Sequence, residues 1–140
     1  MPERVREVMT PEPVTVAATA TLQHAAELMR DRNIGDVLVV DEDGTLIGIV
    51  TDRDIVVEGI AEGADPTTTS VDEVCSHDPV TLGPDDAVVE AARLMRDRAI
   101  RRLPVIDNGS LVGIVSLGDL AMDRDPDSVL GEISEAPPNN

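Results

Sequence analysis

The chain contains no Phe, Tyr or Trp, no Lys, and a single cysteine, Cys75. Without aromatic side chains there is no platform on which bases of a single strand would stack. A formal net charge of -17 opposes a general affinity for phosphate backbones, which depends on counterions released at basic faces. One cysteine cannot close an internal disulfide, which fits a reducing compartment. No basic start is followed by an apolar run, and no stretch approaches the roughly 20 apolar residues of a membrane span. These absences lead to the expectation of a cytoplasmic protein with neither nucleic acid nor membrane as a partner. An Asn108-Gly109-Ser110 sequon falls where a hairpin turn is expected and is read as chance. With 140 residues the chain can bury ~70% of its unfolded surface. The core must then be built from Val, Ile, Leu, Ala and Met.

What is present is a duplication. Val5 to Val56 aligns with Val71 to Ala121, with one gap at Asp43, giving 22 identities in 51 pairs. Each copy opens with a short β-branched run after proline, PVTV (Pro13 to Val16) or PVTL (Pro79 to Leu82), suited to brief extended segments. Leu22, Ala25, Ala26 and Met29, matched by Val88, Ala91, Ala92 and Met95, follow the i, i+3, i+4, i+7 spacing of an apolar helical face. Two apolar runs then flank Asp43-Gly44 or Asn108-Gly109, which supplies the positive φ of a tight hairpin. A second helix is expected to begin at Thr51 or Ser116, with Ile55, Val56 and Ile60 on its buried side in the first copy. The expected fold is mixed α/β (α+β), two tandem strand-helix-hairpin-helix repeats packed sheet to sheet with pseudo-twofold symmetry. Residues 1–62 form the first repeat, the polar 63–70 a linker and 71–125 the second repeat. The tail, 126–140, is expected to be partly helical at VLGEISEA (129–136) and frayed at PPNN.

Each repeat ends its hairpin with a hydroxyl and an aspartate three residues apart, Thr51-x-x-Asp54 and Ser116-x-x-Asp119. The simplest reading is a capping box, in which each side chain satisfies a backbone donor at a helix start. The same place suits a nucleotide. A helix N-terminus attracts phosphate, a hydroxyl donates to phosphate oxygen, and a carboxylate accepts from a ribose diol. Both readings stand together. All eleven cationic residues are Arg, and five of them, Arg93, Arg96, Arg98, Arg101 and Arg102, cluster in the second repeat. The first three are read as a solvated helix surface. Arg101 and Arg102 stand at the mouth of a strand, where the first repeat has Gly35 and Asp36, and an Arg fork suits phosphate oxygens.

Together the doubled PVT run, the Ala-Ala-x-Leu-Met helix, IRRLPVID (Ile100 to Asp107) and G-I-V-[TS]-x-x-D resemble the CBS domain, the cystathionine beta-synthase type repeat, in its tandem or Bateman arrangement. TDRDIVVEGIAEGADP, from Thr51, is similar to small stand-alone CBS-pair proteins, including those of the hypoxic response type. The resemblance implies β-α-β-β-α units, modules that associate as dimers, and adenosine ligands (AMP, ADP, ATP or S-adenosylmethionine) in clefts between repeats. It assigns phosphate contact to Thr51 and Ser116 and ribose contact to Asp54 and Asp119. Adenine is expected near Val14, Thr15 and Ile34 or near Val80, Thr81 and Ile100. The first repeat departs from the family pattern twice: Leu38 replaces the Pro kept as Pro104, and Asp36 stands where a phosphate-directed cation is common, so that repulsion of phosphate disfavours the first cleft unless Arg53 compensates. The second, with Arg101, Arg102, Ser116 and Asp119, is the preferred site.

The remaining candidates are weaker. Cys75 and His77 are too few for a zinc site, which needs four ligands or three plus water, and no metal is assigned; Cys75 aligns with Met9 and is read as a small buried apolar residue. DEDG (Asp41 to Gly44) lacks the rest of a calcium loop. His24 is read as solvent-facing. No nucleophile elbow, P-loop or dinucleotide fingerprint is present, so no enzyme is expected. The functional expectation is a regulatory module that binds an adenosine ligand, requires no cofactor, forms a homodimer and signals to a regulated protein on another chain. The alternative is a stress-related scaffold that kept the fold and lost the ligand, and a third possibility is a redox or metal sensor using Cys75 and His77.

Overall fold

The computed structural model describes residues 4–124. The expected helix at 129–136 and the PPNN end lie outside these residues. In chain order, strands β1 (Thr10–Pro11) and β2 (Thr15–Ala17) precede helix α1 (Leu22–Arg32). The hairpin β3 (Asp36–Val40) and β4 (Leu46–Thr51) follows, then an irregular helical segment and β5 (Ser76–His77). The second half comprises α2 (Val88–Arg98), the hairpin β6 (Arg102–Asp107) and β7 (Ser110–Ser116), and α3 (Leu117–Arg124). The chain divides into two compact units, one made of Val14–Pro79 and the other of residues 4–13 with 80–124. Repeats of sequence and units of structure therefore differ: the leading segment of each repeat folds into the unit that holds the rest of the other.

In the unit Val14–Pro79 the strand order is β2-β3-β4-β5, with β2 parallel to β3 and the other pairs antiparallel. Thr21 caps α1, its Oγ1 accepting from His24 N at 3.1 Å. The Gly63 to Ser70 segment is fastened to this helix start: Leu22 N donates to Thr69 O and Gln23 N to Pro66 O, both at 3.0 Å. Leu22, Ala25 and Met29 are buried against Val37, Val39 and Val50. Ala26, expected on the same face, is exposed, because the buried arc is turned toward Leu28, which packs on the core instead. His24 is exposed.

The second helix of this unit departs from expectation. After Thr51 two α-helical residues, Asp52 and Arg53, lead into a π-helix over Asp54–Gly59, closed by a 3-10 turn at Ile60–Glu62. Ile55 and Gly59 face inward, whereas Val56 and Ile60, expected to be buried, are 58% and 48% exposed. The reason is the close approach at Gly59, where a Cβ would lie 2.8 Å from Leu22 Cδ1. That contact turns the Ile55–Gly59 edge toward α1 and leaves Val56 and Ile60 outside.

The other unit has the order β1-β7-β6. Its first run shrinks to one parallel bridge, Leu82 with Val105. The cause is a single residue: Leu38 N donates to Val14 O at 3.1 Å, but Pro104, at the equivalent position, has no N–H to offer Val80. Asn108 and Gly109 take φ of 52° and 83°, the two positive values of a tight hairpin turn. The core combines Val88, Ala91 and Met95 of α2 with Leu103, Val105 and Val115.

Glycine marks where each sheet takes in a leading segment. Gly48 pairs with His77 and Gly113 with Pro11. A Cβ on Gly48 would meet Ser76 O at 2.3 Å, and one on Gly113 would meet Met9 Sδ at 2.6 Å.

Candidate functional site

The hairpin β6–β7 brings one set of predicted residues to its open end. Arg102 stands directly across from Ser116 in the antiparallel register, and Leu117 N donates to Arg101 O at 2.8 Å, tying the start of α3 to the strand mouth. Ser116 and Asp119 form a reciprocal box: Asp119 N donates to Ser116 Oγ at 3.1 Å, and Ser116 N to Asp119 Oδ2 at 2.8 Å. The box occupies one carboxylate oxygen and makes the hydroxyl an acceptor, and among the described residues it leaves the hydroxyl proton and Asp119 Oδ1 without a further bond. Both residues are half-buried. Arg101 is exposed and makes no ion pair among the described residues. By contrast, Arg93 and Arg96 on α2 pair with Glu90 and Asp97. Cation, hydroxyl, carboxylate and helix start thus meet at one edge of one unit.

The unit Val14–Pro79 carries the other set. Asp54 N donates to Thr51 Oγ1 at 3.0 Å and Thr51 N to Asp54 Oδ2 at 2.9 Å, the same box. The residue facing Thr51 across the register is Asp36, and Asp52 N donates to Gly35 O at 3.0 Å. The sequence reading missed the role of Asp52. Its Oδ1 accepts from Arg53 N at 2.8 Å, so a carboxylate already sits on a backbone donor at this helix start. The second repeat has Leu117 and Gly118 at these positions, so the carboxylate of Asp52 has no counterpart there. Arg53 is exposed. The signal for Asp52 was legible as a third carboxylate beside Asp36 and Asp54.

The positions expected near adenine lie at the sheet margins. Val14 and Ile34 are half-buried on the core of their unit, and Thr15 is exposed in β2. Val80 and Ile100 pack on the core of the other unit, with Thr81 exposed. The parallel bridge of Leu82 with Val105 fixes the run that follows Val80 and Thr81 against β6. Ile100 leads into Arg101 directly after Ala99, which holds a left-handed φ of 55°.

A separate cluster lies at the start of β5. Cys75 is buried in the core of the unit Val14–Pro79, and its thiol pKa is raised, first by burial and then by the charges of Asp72 and Asp54. Asp72 joins Cys75 and His77 there, a residue that sequence spacing had not drawn in.

Two units, each with a helix followed by a hairpin that closes on a capped Thr/Ser-x-x-Asp turn, define a tandem-repeat module. The family model of the CBS domain matches residues 5–59 and again 71–124, and the chain belongs to the CBS-domain family as a tandem pair. It is 44% identical over 120 residues to the CBS domain-containing protein YhcV of Bacillus subtilis, covering 86% of this chain and 84% of that one. Hypoxic response protein 1 of Mycobacterium tuberculosis is 35% identical over 116 residues, 83% of this chain and 81% of that protein. A crystal structure of Hypoxic Response Protein I with two coordinated zinc ions superposes with a TM-score of 0.78, covering 84% of this chain and 96% of that one. The CBS domain pair of MJ0100, in complex with 5'-methylthioadenosine and S-adenosyl-L-methionine, has 26% identity and a TM-score of 0.78, covering 89% and 98%. CBSX2 in complex with AMP has 25% identity and a TM-score of 0.76, covering 87% and 96%. No helix among the described residues is long and apolar enough to cross a membrane.

Proposed function

We propose that this CBS pair is a regulatory, non-catalytic module that takes an adenosine ligand at the second motif, with Ser116 and Arg102 directed to phosphate or its equivalent and Asp119 to the ribose. Arg101 extends the cationic side, and Val80, Thr81 and Ile100 form the adenine surroundings. The observation that carries this reading is the register of Arg102 opposite Ser116, where the first repeat opposes Asp36 to Thr51. The adenosine ligands held by the solved CBS pairs MJ0100 and CBSX2 give the ligand class. Occupancy is signalled to a regulated protein on another chain, in the cytoplasm, through differential affinity of the ligand for two states. The exposed Val56 and Ile60 suit self-association as a homodimer.

Equilibrium dialysis against AMP, ADP, ATP and S-adenosylmethionine, read near 260 nm where an aromatic-free chain is almost transparent, tests it. One of these is expected to bind saturably and to raise stability by about 2.7 kcal/mol at 100 times its dissociation constant. A second reading rests on the two closed capping boxes, which explain Thr51, Asp54, Ser116 and Asp119 as helix caps in a scaffold without a ligand. Absence of uptake of all four ligands at millimolar concentration would establish that reading instead.

A further inference from the structure

Asp72, Cys75 and His77 converge within a short stretch of chain. A 3-10 turn at Val71–Glu73, boxed by Ser70 and Glu73, presents Asp72, and Cys75 N is bonded back to Val71 O at 2.9 Å. The chain then extends into β5, and the period of two in an extended segment puts Cys75 and His77 on one face with Ser76 on the other. Pairing of His77 with Gly48 and of Ser76 with Ile49 holds that segment on β4. Gly48 leaves room over the sulfur, since a Cβ there would lie 2.9 Å from Cys75 Sγ.

Two of the three separations are close to those of a coordination sphere. His77 Nε2 is 3.1 Å from Asp72 Oδ1 and 3.7 Å from Cys75 Sγ, and all three ligand atoms lie within 4.8 Å of one another. Zinc bonds of about 2.0 Å to nitrogen or oxygen and about 2.3 Å to sulfur, in a tetrahedron, separate neighbouring ligands by roughly 3.3 to 3.6 Å. The two measured edges bracket that range. Cys75 is buried, whereas the side chains of His77 and Asp72 are half-exposed, at 54% and 50%. An ion seated on these atoms has sulfur on its inner side and an outer position open for water.

The duplication supplies an internal control. The aligned residues in the first repeat are Arg6, Met9 and Pro11, and Arg6 is ion-paired with Asp85 at 2.6 Å. A complete carboxylate, thiol and imidazole set thus stands only in the second copy, so the fold itself does not require it.

We propose that Asp72, Cys75 and His77 form a surface site for one divalent ion of the zinc class, completed by water. Thiolate and imidazole favour a borderline metal over magnesium or calcium, which take oxygen ligands. Binding exchanges a proton for the ion: Cys75 S–H loses H⁺ to solvent, sulfur bonds the metal as thiolate, and no redox change occurs. Nothing in the proposal depends on the adenosine reading.

Cobalt(II) titration of the reduced, chelator-treated full chain is the test. A thiolate-to-cobalt charge-transfer band in the near ultraviolet is easily seen in a protein without Tyr or Trp. The expected result is one cobalt per chain, displaced by zinc, with the band lost in Cys75→Ser. Affinity should fall about tenfold or more in both His77→Ala and Asp72→Asn. Those two side chains are half-exposed, so their variants should keep the wild-type circular dichroism and separate ligation from folding. Absence of the band at stoichiometric cobalt would overturn the site. So would a band unchanged in both surface variants, which is adventitious thiol binding only, or a stoichiometry of one ion per two chains, which is a thiolate shared between copies.

Discussion

The two Thr/Ser-x-x-Asp turns share a capping geometry to within 0.1 Å in each hydrogen bond and differ in nearly every charge around it. The first is surrounded by acid, with Asp36 across the strand and Asp52 on the backbone donor of Arg53. In the second, Arg102 is across the strand, and Leu117 and Gly118 follow the serine. On the proposed function, the same backbone machinery serves as a helix cap alone in the first motif and as a cap that also receives an anion in the second. The neighbours decide which, because phosphate is drawn to fixed positive charge and open N–H groups and repelled by carboxylates.

The largest expected effects come from the two glycines that admit the leading segments. Gly48→Ala drives a methyl group into the backbone oxygen of Ser76, which cannot swing away, and should destabilise by about 3 kcal/mol. Gly113→Ala meets chiefly the flexible end of Met9 and should lose roughly 1 kcal/mol. Denaturant unfolding of the two variants measures the difference, and equal losses would mean that the two seams are not distinguished by what faces the glycine.

Next in size is ligand affinity. Asp119→Ala removes charged hydrogen bonds to a ribose diol, each worth about 1.5 to 3 kcal/mol, and should weaken adenosine-ligand binding tenfold or more. Asp54→Ala should change it less than twofold. Dialysis with both variants sharpens the comparison, and a greater loss in Asp54→Ala would move the site to the first motif. The double change Asp36→Arg with Asp52→Leu should then create measurable uptake at that motif.

Caps come third. Thr51→Ala and Ser116→Ala should each lose about 0.5 to 2 kcal/mol without ligand. Only Ser116→Ala should also reduce the stabilisation that added nucleotide provides, and thermal melts with and without nucleotide read both effects.

The smallest effect separates Cys75 from its counterpart Met9. The Cys75 thiol pKa is raised in the folded chain by burial and by Asp72 and Asp54, so the folded state holds its proton where the unfolded chain has released it. Metal-free stability from this group is complete below the unfolded thiol pKa, near 8.5, and declines as pH rises from there through the higher folded value. The chain has neither Lys nor Tyr, the side chains whose ordinary pKa values lie near 10. Cys75→Met should flatten the decline in alkaline urea melts.

Much of this was open to inspection in the linear chain. The duplication, the α1 and α2 faces, the Asn108-Gly109 turn and both capping boxes depend on residues within a few positions of one another, and short-range hydrogen bonds and helical spacing are written locally. Ala26, Val56 and Ile60 were misplaced because helical periodicity does not say which way a helix will roll. At Gly59 that was decided by contact with Leu22, thirty-odd residues away. Asp72 went unnoticed beside Cys75 and His77 because only the 3-10 turn brings it onto their side.

By itself, then, the sequence determined that there are two copies of one unit, where each hairpin turns, and which hydroxyl and carboxylate close each helix start. Tertiary structure alone decided that Ser76–His77 runs along β4 and Thr10–Pro11 along β7. Leading segments of two homologous repeats fit either sheet edge by pattern, and the choice falls to packing around Gly48 and Gly113, where a Cβ would meet Ser76 O or Met9 Sδ.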